Sequence, residues 1–174
     1  MIRFILSSII FLLFIIEGSL FQIFAPELYD IEFTIVPHFV VVVIVVIGIF
    51  YGRPMAILYG IIFGFLYDVV YTEILGVYAF VFGLSGYIFS LELRPVQNSY
   101  FYNFLLAVSA VLFVEYFVYG FLYLFELTRM SHVAFLLKRL LPTLAINAIF
   151  ILIILYPLRR LIFYYKKKED PMAM

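Results

Sequence analysis

No cysteine occurs in the sequence, which excludes disulfides and thiolate metal sites. No tryptophan occurs either, so tyrosine and phenylalanine carry the whole aromatic share of 21%. Many of them stand near the ends of long apolar runs, where interfacial belts form. Charge is scarce, at 13% of residues, and 11 basic side chains balance 11 acidic ones. A chain without net charge has no electrostatic claim on nucleic acid. Catalytic signatures are missing as well: there is no HExxH pair, no glycine-rich phosphate loop followed by lysine and no cytoplasmic carboxylate cluster for Mg²⁺. Nothing implies a cofactor. What the chain has in excess is hydrocarbon. It is 67% hydrophobic with a mean hydropathy of +1.20, against about 45–50% apolar in an ordinary globular domain. A bilayer is the solvent that suits such a chain. Its 174 residues fit one membrane domain, residues 1–174, and leave no length for a soluble catalytic domain.

The apolar runs and their breaks predict an all-α integral membrane protein, a single polytopic bundle of about six transmembrane helices. The spans fall at 4–24, 37–50, 55–74, 77–93, 101–125 and 140–163. The first run is too long for the apolar region of a signal peptide and has no small-residue cleavage site, so a retained anchor is expected. The second is rich in valine and isoleucine, which in water would favour a strand. In a bilayer every backbone group must be satisfied internally, and helix is expected instead. Pro37 and Pro54 suit the first turns of helices, where a missing N–H costs nothing. Between the last two spans, Met130, Val133, Ala134 and Leu137 recur at helical spacing opposite Arg129, His132 and Lys138. That pattern predicts a short interfacial helix at 129–138.

Lysine and arginine set the expected orientation. An even number of spans puts both termini on one side, with Arg3, Arg53, Arg94, Arg159, Arg160 and Lys166 to Lys168. The other side keeps only Arg129, Lys138 and Arg139. Both termini are therefore expected in the cytoplasm, with the lysine run touching anionic lipid headgroups. In that frame Glu17, Asp68 and Glu115 fall in the outer halves of spans one, three and five. Asn147 lies about two turns in from the outer end of span six. Four polar residues thus share one depth on four helices, a costly placement in hydrocarbon. They form a hydrogen-bonded layer that fixes helix rotation, the wall of an outward-facing ligand cavity, or a face completed by a partner's transmembrane helix. Tyr119, one turn after Glu115, is placed to hydrogen-bond it locally.

Within the third span, Gly60, Gly64 and Asp68 recur at intervals of four and share a helical face. A smooth face of this kind lets helices approach closely in lipid. It is a candidate interface for a partner helix, with packing inside the bundle as its other use. Gly83-Leu84-Ser85-Gly86 resembles the GxSG motif around the nucleophile of rhomboid intramembrane proteases. Such a serine needs a histidine base. The chain has only His38 and His132, both expected at outer boundaries, and none in the sixth span. Ser85 is therefore read as a small residue at a helix contact. The two histidines are read as interfacial polar residues rather than metal ligands.

A family resemblance rests on Glu17 late in the first span and on Leu58-Tyr59-Gly60 through Gly64-Phe65-Leu66-Tyr67-Asp68. It continues with Leu75-Gly76, then Arg139-Leu-Leu-Pro142-Thr143 with Asn147 and Pro157. Over nearly its whole length the chain resembles the rod-shape-determining MreD family of the bacterial cytoplasmic membrane. The resemblance implies a scaffold of the cell-elongation machinery and no enzyme activity. It implies binding to the membrane-anchored MreC, and through it links to MreB filaments and the peptidoglycan synthases. That family is similar in architecture to the S components of energy-coupling-factor vitamin transporters. A solute-binding transport subunit is therefore the alternative expectation.

Overall fold

The computed structural model describes residues 2–23 and 33–169. The chain forms α1 (Ile2–Ile23), α2 (Phe39–Phe50), α3 (Arg53–Tyr71), α4 (Val77–Ile88), a short α5 (Arg94–Asn98) and α6 (Tyr100–Leu124). A single turn, α7 (His132–Ala134), and a π-helical turn (Phe135–Leu140) then run into α8 (Leu141–Glu169). Among the described residues there is no strand. Ile2–Leu20, Arg53–Tyr71, Tyr100–Leu124 and His132–Lys168 are each long and apolar enough to cross a bilayer. The protein is a polytopic helical membrane protein.

The two remaining helices are short. Helices α2 and α4 have 12 residues each, or about 18 Å at 1.5 Å per residue, less than the ~30 Å of a hydrocarbon core. Helix α2 is nevertheless the centre of the bundle, and every one of its residues is buried. A helix that is apolar all round belongs in a core. Its valines and isoleucines touch only protein, which is why a β-branched run folds as helix here. Its last carbonyls are taken up by side chains: Gln97 Nε2 donates to Ile49 O at 2.7 Å and Lys166 Nζ to Phe50 O at 3.4 Å.

Helices α3 and α4 form a tight antiparallel pair, the most extensive helix contact in the chain. A Cβ on Gly60 would stand 2.6 Å from the Phe82 carbonyl oxygen, and one on Gly64 2.6 Å from Ala79 Cα. Both are far below the ~3.5–4.0 Å of carbon packing. The two backbones are in contact at these glycines. Helix α4 stops at Ile88 rather than continuing to 93, because the following chain turns back onto the start of α3. Glu92 Oε1 accepts from the Arg53 amide at 2.6 Å, and Arg53 Nε donates to Ser90 O at 3.3 Å.

The segment expected as an interfacial helix at 129–138 is not a separate helix. It begins at His132 and passes through the π-helical turn directly into α8. Arg159 sits over the rings of Phe50 and Tyr100, so α8 ends beside the end of α2. Arg139 and Lys138 stand at the opposite end of the bundle, where α2 begins and α3 ends.

Candidate functional site

Before α2 the chain is not helical over residues 33–38, and it runs from an exposed Phe33 to a buried Pro37 and His38. Irregular backbone at membrane depth is tolerated only where other groups satisfy it, and here several of its groups have partners on α8 and the turn before it. The Thr34 amide donates to Lys138 O at 2.8 Å. The Val36 amide donates to Thr143 Oγ1 at 3.1 Å, and Val36 O accepts from Asn147 Nδ2 at 3.0 Å. Pro37 has no N–H to satisfy. The His38 amide donates to Asn147 Oδ1 at 2.8 Å, and the Val40 amide in the first turn of α2 to Glu17 Oε2 at 3.2 Å.

This explains the spacing of polar residues on α8. Thr143 and Asn147 are one turn apart, so both face the same non-helical segment. Pro142 cannot donate to the carbonyl four residues back, which is that of Lys138. That carbonyl is left free to take the Thr34 amide. Arg139, one turn before Thr143, reaches Glu115 on α6: its Nε donates to Oε2 at 2.8 Å and its Nη2 to Oε1 at 3.4 Å. Glu115 Oε1 also lies 2.7 Å from His38 Nε2. Both Glu115 and His38 are almost wholly buried. The carboxylate is thus held between a guanidinium and an imidazole, where removal of one partner from a buried pair typically costs about 3–5 kcal/mol.

Two expectations need correction. His38 is not interfacial: it is 1% exposed and bound to Glu115. Tyr119 does not satisfy Glu115; its hydroxyl donates to Met130 O at 3.1 Å. The face of Gly60, Gly64 and Asp68, expected to serve a partner's helix or packing inside the bundle, is packed against α4 of the same chain at both glycines. Asp68 is fully buried and caps α4, accepting from the amides of Gly76 at 2.9 Å, Tyr78 at 2.8 Å and Ala79 at 3.0 Å. These are the unpaired first-turn donors of α4, and the negative charge also suits the positive end of the helix dipole. Gly76 makes the connection with φ at +100°, a conformation that disfavours other residues.

Of the four polar residues expected at one depth, Glu17, Glu115 and Asn147 converge on the start of α2, while Asp68 serves α4. All four are buried. Pro157 lies inside α8, away from this cluster in sequence. The residues that sequence reasoning missed are Tyr67, Tyr71 and Tyr78. With Glu17, His38 and Arg139 they line a cavity of about 190 Å³. Tyr67 is central to an aromatic group, 5.3 Å from Tyr71 and 5.7 Å from Tyr78 between ring centroids. The signal in the sequence was the i, i+4 repeat of Tyr67 and Tyr71, which looks the same as lipid-facing tyrosine. Among the described residues, no group of three or more His, Asp or Glu side chains is arranged to hold a metal. Ser85 is buried and its hydroxyl donates to the Val81 carbonyl at 2.7 Å within α4, as expected of a residue at a helix contact.

Residues 2–167 match the model of a family described as rod shape-determining protein MreD. A curated relative, the rod shape-determining protein MreD of Bacillus subtilis (strain 168), is 34% identical over 167 residues, covering 96% of this chain and 96% of the relative. No solved structure matches the chain.

Proposed function

The chain belongs to the MreD family of rod shape-determining proteins, and from that membership we propose that it is a non-enzymatic membrane scaffold of the bacterial elongation machinery. A role in cell shape goes with the family. The finer reading is that the bundle binds MreC within the cytoplasmic membrane and thereby connects MreB filaments to peptidoglycan synthesis. The observation that carries it is the match to a shape-determining family along almost the whole chain. The interior supports a structural part. Its buried acids and amides are spent on holding α2 and α4 in place, as a rigid platform requires.

The partner's helix must then dock on an outward face rather than on Gly60 and Gly64. The bias of lysine and arginine supports a cytoplasmic position for the end of the bundle that carries the basic residues near Phe50 and the Lys166–Lys168 run. Depletion of the protein in its own rod-shaped host is the test. Cells should widen and round, and re-expression should restore rods. Rods that persist through full depletion would remove the shape reading.

A solute-binding subunit of an energy-coupling-factor-type transporter is the second reading, and the cavity beside Glu17 is the observation that favours it. Co-purification of transporter ATPases with the chain would support it.

A further inference from the structure

Six buried side-chain polar atoms among the described residues lack a hydrogen-bond partner, and three of them belong to one place. Glu17 Oε1, His38 Nδ1 and the Tyr67 hydroxyl make no hydrogen bond of full geometry, although the Tyr67 hydroxyl lies close to the Glu17 carboxyl, and all three residues line the 190 Å³ cavity. Each residue is less than one-tenth exposed. Buried polar atoms are rarely left unpaired, because each costs its full desolvation. Three in one cavity point to something that pairs with them.

The chemistry of the three atoms is specific. His38 Nε2 faces the Glu115 carboxylate at 2.7 Å and so carries the ring proton, which leaves Nδ1 as an acceptor in the neutral ring. The ionised Glu17 carboxylate, the form a bound cation favours, presents Oε1 as an acceptor while Oε2 takes the Val40 amide. The Tyr67 oxygen can accept as well. The titratable groups of the wall besides His38 and the tyrosines are Glu17 and Arg139. Arg139 is engaged by Glu115 through two nitrogens, so the pair is neutral and Glu17 remains without a cationic partner among the described residues. Tyr67, Tyr71 and Tyr78 supply ring faces, which attract cations. Tyr71 is 40% exposed and forms the rim. Gly18 admits its ring, since a Cβ there would collide with the Tyr71 hydroxyl.

We propose that this cavity binds a primary ammonium group, either of a small free amine or of an ethanolamine lipid headgroup. An ammonium offers three N–H donors and no acceptor, matching three free acceptors beside one uncompensated carboxyl. An anion would meet a guanidinium already taken. A quaternary ammonium has the charge but no N–H, so it satisfies none of the three acceptors. The inference does not depend on whether the chain is a scaffold or a transport subunit.

The test uses the full chain in nanodiscs. In phosphatidylcholine discs, ethanolamine should bind saturably by calorimetry and raise the thermal midpoint, while choline should bind at least tenfold more weakly. Glu17→Gln keeps an oxygen for the Val40 amide and should weaken ethanolamine binding tenfold or more, the loss of one charge-assisted contact. Tyr67→Phe removes a hydroxyl whose one polar neighbour is Glu17, so it should fold as wild type yet bind several-fold more weakly. If the source is lipid, native mass spectrometry from phosphatidylethanolamine discs should show one retained lipid that Glu17→Gln loses, and free ethanolamine should no longer bind there. Three results would overturn the proposal: no saturable ethanolamine binding and no retained lipid, equal binding of choline, or both variants binding like wild type. Each would leave ordered water as the content of the cavity.

Discussion

Replacement of Gly64 by alanine separates the two uses a smooth helical face can have. A Cβ at Gly64 would lie 2.6 Å from Ala79 Cα and 2.7 Å from the Tyr78 carbonyl carbon, and closer still to the Tyr78 carbonyl oxygen. Carbon atoms pack at about 3.5–4.0 Å, so α3 and α4 must part by roughly 1 Å at this point. The atoms in the way are backbone and cannot swing aside. Overpacking of this kind typically costs about 1–3 kcal/mol. Separation of the pair also strains the three bonds from Asp68 to the start of α4. Gly120 is the control, because nothing lies within 4 Å of a Cβ built there. At an unobstructed position inside a helix, alanine is favoured over glycine by about 0.5–1 kcal/mol. Thermal unfolding in mild detergent, followed by helical circular dichroism, should show Gly64→Ala melting well below wild type and Gly120→Ala at or above it. A Gly64→Ala protein as stable as wild type that no longer retains a partner would refute the internal packing and return the face to a partner helix.

Three further outcomes are expected. Asn147→Leu removes the groups that pair the His38 amide and the Val36 carbonyl; at about 1–3 kcal/mol for each buried unpaired group, its melting midpoint should fall sharply, and an unchanged midpoint would contradict the pairing. Glu115→Leu should destabilise by about 3–5 kcal/mol because Arg139 loses its counter-charge, while the double variant Glu115→Leu with Arg139→Met should recover part of that loss; strictly additive losses would show that the two do not interact. A cysteine placed at Asn98 should resist an impermeant thiol reagent in intact cells and one at Leu127 should react, since the native chain has no cysteine; the reverse pattern would invert the orientation.

The sequence made the fold class plain because composition alone excludes water as the surrounding solvent. It also picked out Glu17, Asp68, Glu115 and Asn147, since polar residues in apolar runs stand out whatever they bind. Their partners were harder to read. Glu17 and Asn147 bond mainly to backbone amides and carbonyls, and backbone groups leave no trace in residue identity. The non-helical lead-in to α2 was hidden for the same reason: Val36 and Pro37 look like the first residues of an apolar helix. The Gly60 and Gly64 pattern showed that a close approach exists but not whose helix approaches. Only the turn at Gly76, which folds α4 back on α3, decides that. The cavity needed α1, α3, α4, the π-helical turn and the lead-in to be in place before its tyrosines differed from any others.

Retention of MreC by the intact chain tests the scaffold reading most directly. The tagged protein, solubilised from its own membranes in mild detergent and eluting as a monodisperse species, should carry MreC through affinity and size-exclusion steps at a fixed ratio. A well-folded preparation that repeatedly elutes without MreC, and instead carries transporter ATPases, would contradict it.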